Sequence, residues 1–354
     1  MTATLATVLS KRSSDETCPA AKKTHPLSPP LSLGSFPNLA FELGMDSGLQ
    51  LPERKAIRKL LYSLVSKPEC PVTILNIFSD HTLEESVRLS IILKLASHIF
   101  SWKELPPIPN FTLPDPSGFS ELVTLPYIIC QIEASTDATA NLSCEERLWI
   151  ASSLRSTLFG EILKDKDYPY YIDRMKQEPD TVFILGSGYN NHIIYIILWG
   201  RYLIHCNRGS GCRQSPGIRV YDNPSSDWIT EDCLKKIICR IDNSDTDWPH
   251  YRWIEKELKL NFLFKILMKS QGMGNCTWAS TKALLRAVIA IKKISKNGFF
   301  ADFQTSYPHY KKMSSAIKRQ FLKDVNRLTE EEGSETAKRV LQAVEAKIPV
   351  KYQA

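Results

Sequence analysis

Apolar residues first recur at helical spacing. Ile57, Leu60, Leu61, Leu64 and Val65 fall at i, i+3, i+4, i+7 and i+8, one face of a helix. Asp80-His81-Thr82-Leu83-Glu84 offers caps for a second helix, which Leu89, Ile92, Leu93 and Leu95 carry to about Trp102. Pro106, Pro107, Pro109, Pro114 and Pro116 then interrupt regular structure. A third helix starts near Ser143-Cys144-Glu145-Glu146 and carries Leu148, Ile150, Leu154, Leu158 and Ile162. The pattern changes near Asp180. Residues 181–185 are β-branched and aromatic, and Gly186-Ser187-Gly188 closes that strand. A second strand over 192–198 is apolar on both faces and must be covered on both. Trp199-Gly200-Arg201 turns the chain into a third strand over 202–206, and 217–221 forms a fourth. Strands joined by hairpins in succession imply an antiparallel sheet.

Helices return over 230–241 and 248–260, an apolar run follows at 262–268, and a helix is predicted from Thr277 to about Ile294. Two more fill 308–328 and 334–347. The pattern predicts an α+β fold with a helical N-terminal region and a small antiparallel sheet packed by helices. The divisions are a flexible arm at 1–40, a mainly helical region at 41–170, an α+β core at 171–300 and C-terminal helices at 301–354. The arm rests on Lys11-Arg12-Ser13-Ser14 and the proline-rich stretch 25–30, where missing donors and competing serines disfavour regular structure.

Composition narrows the classes. The chain has 354 residues, 43% hydrophobic and 23% charged. Such values are ordinary for a globular protein and exclude a collagenous, coiled-coil or wholly disordered chain. No apolar run reaches the roughly 18–20 residues of a transmembrane helix. The net charge is +7. From Lys259 to Lys296 there are eight basic residues and no acidic one. That excess fits a solvated face, a substrate with an acidic surface, an anionic cofactor or contact with an anionic membrane surface. A nucleic-acid partner is disfavoured. The nine cysteines include no C-x-x-C pair, and the six-residue steps Cys206/Cys212 and Cys233/Cys239 do not fit a zinc knuckle. No metal or cofactor is expected. The N-terminus lacks the charged-then-apolar order of a secretory signal, so the cysteines read as thiols in a reducing compartment.

The segment Gln271-x-x-Gly274-Asn275-Cys276-Thr277-Trp278 carries the candidate chemistry. Cys276 is predicted in the first turn of a helix, where free amides stabilise a thiolate and lower its pKa. Gln271 can point its side-chain amide at an oxyanion, and the backbone amides of Asn275 and Cys276 can complete the hole. A cysteine nucleophile wants an imidazole within reach and a third group to orient it. His192 starts a strand, and Asn207, fifteen residues on, ends the neighbouring one across a hairpin. The two are predicted side by side. Asp222, ending the fourth strand, is the alternative orienter.

The order His192, Asn207, Gln271, Cys276 resembles that of the clan of ubiquitin-like-protein proteases and adenovirus-type endopeptidases. It is also similar to that of bacterial effector acetyltransferases on the same fold. The resemblance covers roughly 180–296. It implies a catalytic half with Cys276 as nucleophile, His192 as general base, Asn207 as orienter and Gln271 as oxyanion donor. The chain departs from the clan pattern at Ile193, where an aromatic is common, at Asn207, where an acid is commoner, and at Asn275 and Thr277 beside the cysteine.

The stretch 203–209 with Gly274-Asn275-Cys276-Thr277-Trp278-Ala279-Ser280 also looks like papain-like domains among type IV secreted effectors of Legionella-like bacteria. The acidic run Thr329 to Glu335 resembles their glutamate-rich translocation signal. These resemblances imply a thiol-dependent acyl-enzyme hydrolase, a cysteine protease or deubiquitinase-like enzyme. It would be secreted into the host cytoplasm and act on a host protein, including a ubiquitin-like one. The alternatives are an acyltransferase on the same fold, and a non-catalytic host-protein-binding effector with a vestigial triad.

Overall fold

The computed structural model describes residues 73–79, 81, 85–102, 104–111, 113, 121–135, 141–159, 167–189, 192–208, 216–223, 228–238, 255–256, 258–269, 276–294, 299–331 and 333–352. Of these, 87, 121–123, 158–159, 188–189, 192–193, 238, 276–277 and 299 are described as backbone only. The predicted arm at 1–40 and the first predicted helix, around Ile57, lie outside the described residues.

Four helices come first: α1 (Ile74–Phe78), α2 (Glu85–Phe100), α3 (Glu121–Ala134) and α4 (Cys144–Arg155). Apolar residues surround α2, and Leu89, Ile91, Ile92, Leu93, Leu95, Ala96 and Ile99 are all buried. A helix apolar all round belongs inside a helical layer, and α2 packs against α1, α7, α9 and α10, the last three defined below. No helix was predicted over α3, which follows the proline cluster and carries Pro126 within it. Its run Leu125, Tyr127, Ile128, Ile129 and Ile132 is buried, and that burial outweighs the proline. At α4, Ser143 accepts from the Glu146 amide and the Glu146 carboxylate accepts from the Ser143 amide. This reciprocal cap fixes the start where the sequence predicted it. The helix stops at Arg155 and does not reach Ile162, because Leu158–Phe159 leaves as strand β1.

The sheet has six strands in the order β1-β2-β3-β4-β5-β6. They are β1 (Leu158–Phe159), β2 (Phe183–Tyr189), β3 (His192–Trp199), β4 (Tyr202–Asn207), β5 (Gly217–Asp222) and β6 (Asn261–Leu267). The short β1 pairs parallel with β2, and all other neighbours are antiparallel. Two expectations are corrected. Gly186-Ser187-Gly188 does not end β2, which runs on to Tyr189 opposite His192; partners on β3 satisfy the backbone there and offset the entropy cost of glycine. The apolar run at 262–268 belongs mostly to the edge strand β6, a state that so short a run leaves open between helix and strand.

Both faces of the sheet are covered. On one face Phe183, Leu185, Ile194, Ile196, Leu198, Leu203 and Tyr221 share a core with α5 (Tyr168–Gln177) and α6 (Glu231–Ile238). On the other, Ile184, Tyr195, Ile197, Ile204, Cys206, Ile218, Val220 and Ile266 meet α7 (Cys276–Lys292). Behind α7 lie the helical layer and α8 (Phe299–Thr305), α9 (Tyr307–Glu331) and α10 (Glu335–Lys347). Buried residues from Ile74 to Ile348 form this one cluster, which runs through the helices, α7 and one sheet face. The architecture is α+β, with α7 as the element both layers share.

Candidate functional site

One end of the sheet gathers the strand termini that the sequence singled out. β3 begins at His192, and β4 ends at Asn207, opposite Gly217 at the start of β5. The β3–β4 ladder runs from Tyr195↔Cys206 to Trp199↔Tyr202. Asn207 stands one step beyond that ladder and His192 three steps beyond it. Their backbones share a sheet end, offset by about 7 Å along the strand direction. Asn207 is only 3% exposed.

The approach to Cys276 reaches the same end. β6 closes at Leu267 opposite Gly217, and the Met268 amide donates to Pro216 O at 2.9 Å. Gly217 has φ +136, and a Cβ there would collide with the Ile266 carbonyl oxygen. Only glycine lets β6 pass this close. Next to Asn207, Arg208 donates from Nε and Nη2 to Lys269 O at 3.0 and 2.5 Å. This clamp ties the end of β4 to the strand exit seven residues before Cys276. Cys276 itself is the first residue of α7. Trp278, in the first turn, is buried against the sheet at 2% exposure. Gln271 and Asn275 lie outside the described residues, and His192 and Cys276 are described as backbone only.

Asp222 is at the other end of the sheet. It pairs in register with Tyr202, five residues from Asn207 along β4 and therefore about 17 Å away. Both its carboxylate oxygens accept from Arg201 of the β3–β4 turn. The alternative of Asp222 orienting His192 is thereby corrected: the strand order carries the two backbones to opposite ends.

The remaining thiols contrast with the position of Cys276. Burial pushes the Cys233 thiol up to about 11 and raises that of Cys206 further. Such thiols are poor nucleophiles at neutral pH. Cys130, Cys206 and Cys233 form no disulfide, whereas Cys144 is disulfide-bonded, a departure from the expected nine thiols. His205 is buried and stands in register with Ile196, whose side chain faces the α5/α6 core rather than α7, and strand alternation puts Asn207, two residues on, on that same face. No cluster of metal-binding side chains occurs among the described residues.

Lys296 lies outside the described residues, and the other seven cations of the basic run divide into three groups. Lys259, Lys265 and Lys269 are exposed. Lys292 and Lys293 pair with Glu145 at 3.5 Å and Glu146 at 2.5 Å, joining the end of α7 to the start of α4. Lys282 and Arg286 turn inward, toward Trp278, Tyr307 and Arg208. The sequence does not set these two cations apart from the rest of the basic run. The available signal was their i, i+4 spacing within the otherwise apolar stretch 283–291, and Arg208 gave none beyond a turn. The acidic run near the C-terminus forms the α9–α10 corner: Glu331 pairs with Arg327, and Ser334 caps α10 while donating to Glu85.

The fold thus defines an α+β protein in which one buried helix opens beside the strand ends of a mixed sheet. No protein-family model and no curated protein matches the chain. Among solved structures it is similar to that of the Legionella effector AnkH, with a TM-score of 0.61 and 16% identity. The match covers 83% of this chain and 67% of that one. At this identity the likeness is one of fold. Among the described residues no helix is long and apolar enough to cross a membrane.

Proposed function

We propose that the chain is a secreted bacterial effector of the Legionella kind and a thiol-dependent acyl-enzyme hydrolase acting on a host protein. Cys276 attacks the substrate carbonyl, and His192 takes and returns the proton. Asn207 orients the imidazole, and Gln271 with the amides of Asn275 and Cys276 holds the oxyanion. The observation that carries this reading is the convergence, at one sheet end, of the start of β3, the end of β4 and the approach to α7. The AnkH-like fold supports the effector setting. Water as acceptor makes the enzyme a protease or deubiquitinase. An amine or hydroxyl acceptor makes it an acyltransferase.

The test is competitive labelling with an iodoacetamide probe at neutral pH. Selective modification of Cys276, lost in Cys276→Ala and slowed in His192→Ala, supports the thiol enzyme. Uniform labelling of the accessible cysteines refutes it and leaves the host-binding protein. Adduct formation with a ubiquitin vinyl electrophile then separates the hydrolase from the transferase, which instead self-acylates from labelled acetyl-CoA.

A further inference from the structure

Four cations, Arg208, Lys282, Arg286 and Lys318, meet where α7, the end of β4 and the first half of α9 come together. Lys282 Nζ lies 4.8 Å from the Trp278 ring centroid and donates to Ser101 Oγ at 2.8 Å. Ser101 follows the last turn of α2, whose carbonyl end offers roughly half a negative charge. Arg286, one turn on, is 7% exposed, with its guanidinium 4.6 Å from the Tyr307 ring centroid. Its Nε is buried with no acceptor. Arg208 lies within electrostatic range of Lys282, Arg286 and the buried Tyr310, and Lys318 within range of Lys282. Among the described residues no carboxylate pairs with Lys282 or Arg286. Desolvation and these like charges hold the Lys282 pKa well below the ordinary lysine value.

Holding the buried Arg286 one turn from the half-buried Lys282, with no paired carboxylate for either among the described residues, is costly, and removing one charge would relieve it. A fold that retains them has a use for the positive field. We propose that Arg286, Arg208 and Lys282 form a binding site for the phosphate group of a small soluble phosphate ester. A guanidinium fork matches two phosphate oxygens at once, the ammonium supplies a point charge, and a dianion answers several cations where a single carboxylate would not. Arg286 is too recessed to meet a flat membrane, so the ligand must enter as a discrete group. The inference does not depend on Cys276 being reactive.

Sodium tripolyphosphate, titrated calorimetrically into the full chain at fixed ionic strength, tests the site. Saturable one-to-one binding is expected. It should weaken at least tenfold in Arg286→Lys, which keeps the charge but loses the fork, and again in Arg208→Gln at the clamp. Lys323→Gln, on the exposed side of α9, should bind like the parent. Thermal unfolding of each variant confirms that it is folded, and Arg208→Gln carries the test if Arg286→Lys is not. The proposal is overturned by absence of saturable binding, by parental affinity in the folded arginine variants, or by equal weakening in Lys323→Gln.

Discussion

The two ends of the sheet differ in how their charges are satisfied. At the hairpin end Arg201 meets both oxygens of Asp222, the Asn223 amide donates to Arg201 O at 3.0 Å, and Trp199 stacks on Tyr202 with centroids 5.6 Å apart. Folding alone accounts for every one of those groups. At the other end stand Asn207, the Arg208 clamp and the inward cations Lys282 and Arg286, which folding alone penalises. Features that cost stability and yet persist point to binding or chemistry. The contrast makes the second end the candidate for function without appeal to any motif.

The strongest way to break this contrast is to substitute one residue at each end. His192→Ala should lower turnover by about 10²–10⁴, the usual worth of a positioned general base. Asp222→Asn should leave turnover unchanged. Rates of Cys276 alkylation and of substrate hydrolysis in the two variants check this, and equal losses would remove the distinction between the ends.

Next in size is a change to the element both layers share. Trp278→Ala should cost about 3–5 kcal/mol, as expected for truncating a large buried aromatic. Trp278 is 2% exposed in the core that joins α7 to the sheet. Urea unfolding measures the loss. A cost below about 1 kcal/mol would mean that α7 is not held where the site requires it.

Much of this arrangement was legible in the residues. Apolar, β-branched runs and the turn residues between them gave β3, β4 and β5 nearly to their ends, and the 143–146 cap gave the start of α4, because both signals are local. The missed elements depend on distant partners. β6 exists because β5 offers an edge, and β2 outlasts its glycines because β3 pairs with them. α3 survives Pro126 because its apolar face is buried. At the site, the spacing of His192 and Asn207 placed them at one sheet end, but Asp222 followed only from counting register across the hairpin. The inward cations were hidden by their neighbours in a uniformly basic run. Charge counts do not say which lysines find a carboxylate, and among the described residues Lys292 and Lys293 did while Lys282 did not.

A subtler effect sharpens the same comparison. Lys282→Met keeps an unbranched stem beside Trp278 and removes a desolvated cation, so the ligand-free protein should gain about 1 kcal/mol. The pH dependence fixes the cause. The folded-state pKa of Lys282 is depressed by burial first, then by Lys318 and Arg208. In the window between that depressed value and about 10.4 for an unfolded lysine, the unfolded chain binds more protons. Parental stability therefore rises with pH through the window relative to Lys282→Met. The advantage of the variant should be full below the folded pKa and shrink above it. A pH-independent difference in unfolding midpoint would assign the gain to packing.

The smallest effect is expected where charge is already balanced. Asp222→Asn breaks the Arg201 pair, but Arg201 is 52% exposed, so water and salt take over its solvation. The carboxylate is better buried, at 15%, and an amide in its place still accepts from Arg201. The midpoint of thermal unfolding should fall slightly, and the deficit should fade as salt is raised. Tripolyphosphate affinity should stay at the parental value, since Asp222 and the α7 cations occupy opposite ends of β4. A loss of affinity in this variant would show the two ends to be electrostatically coupled, and the contrast between them would fail.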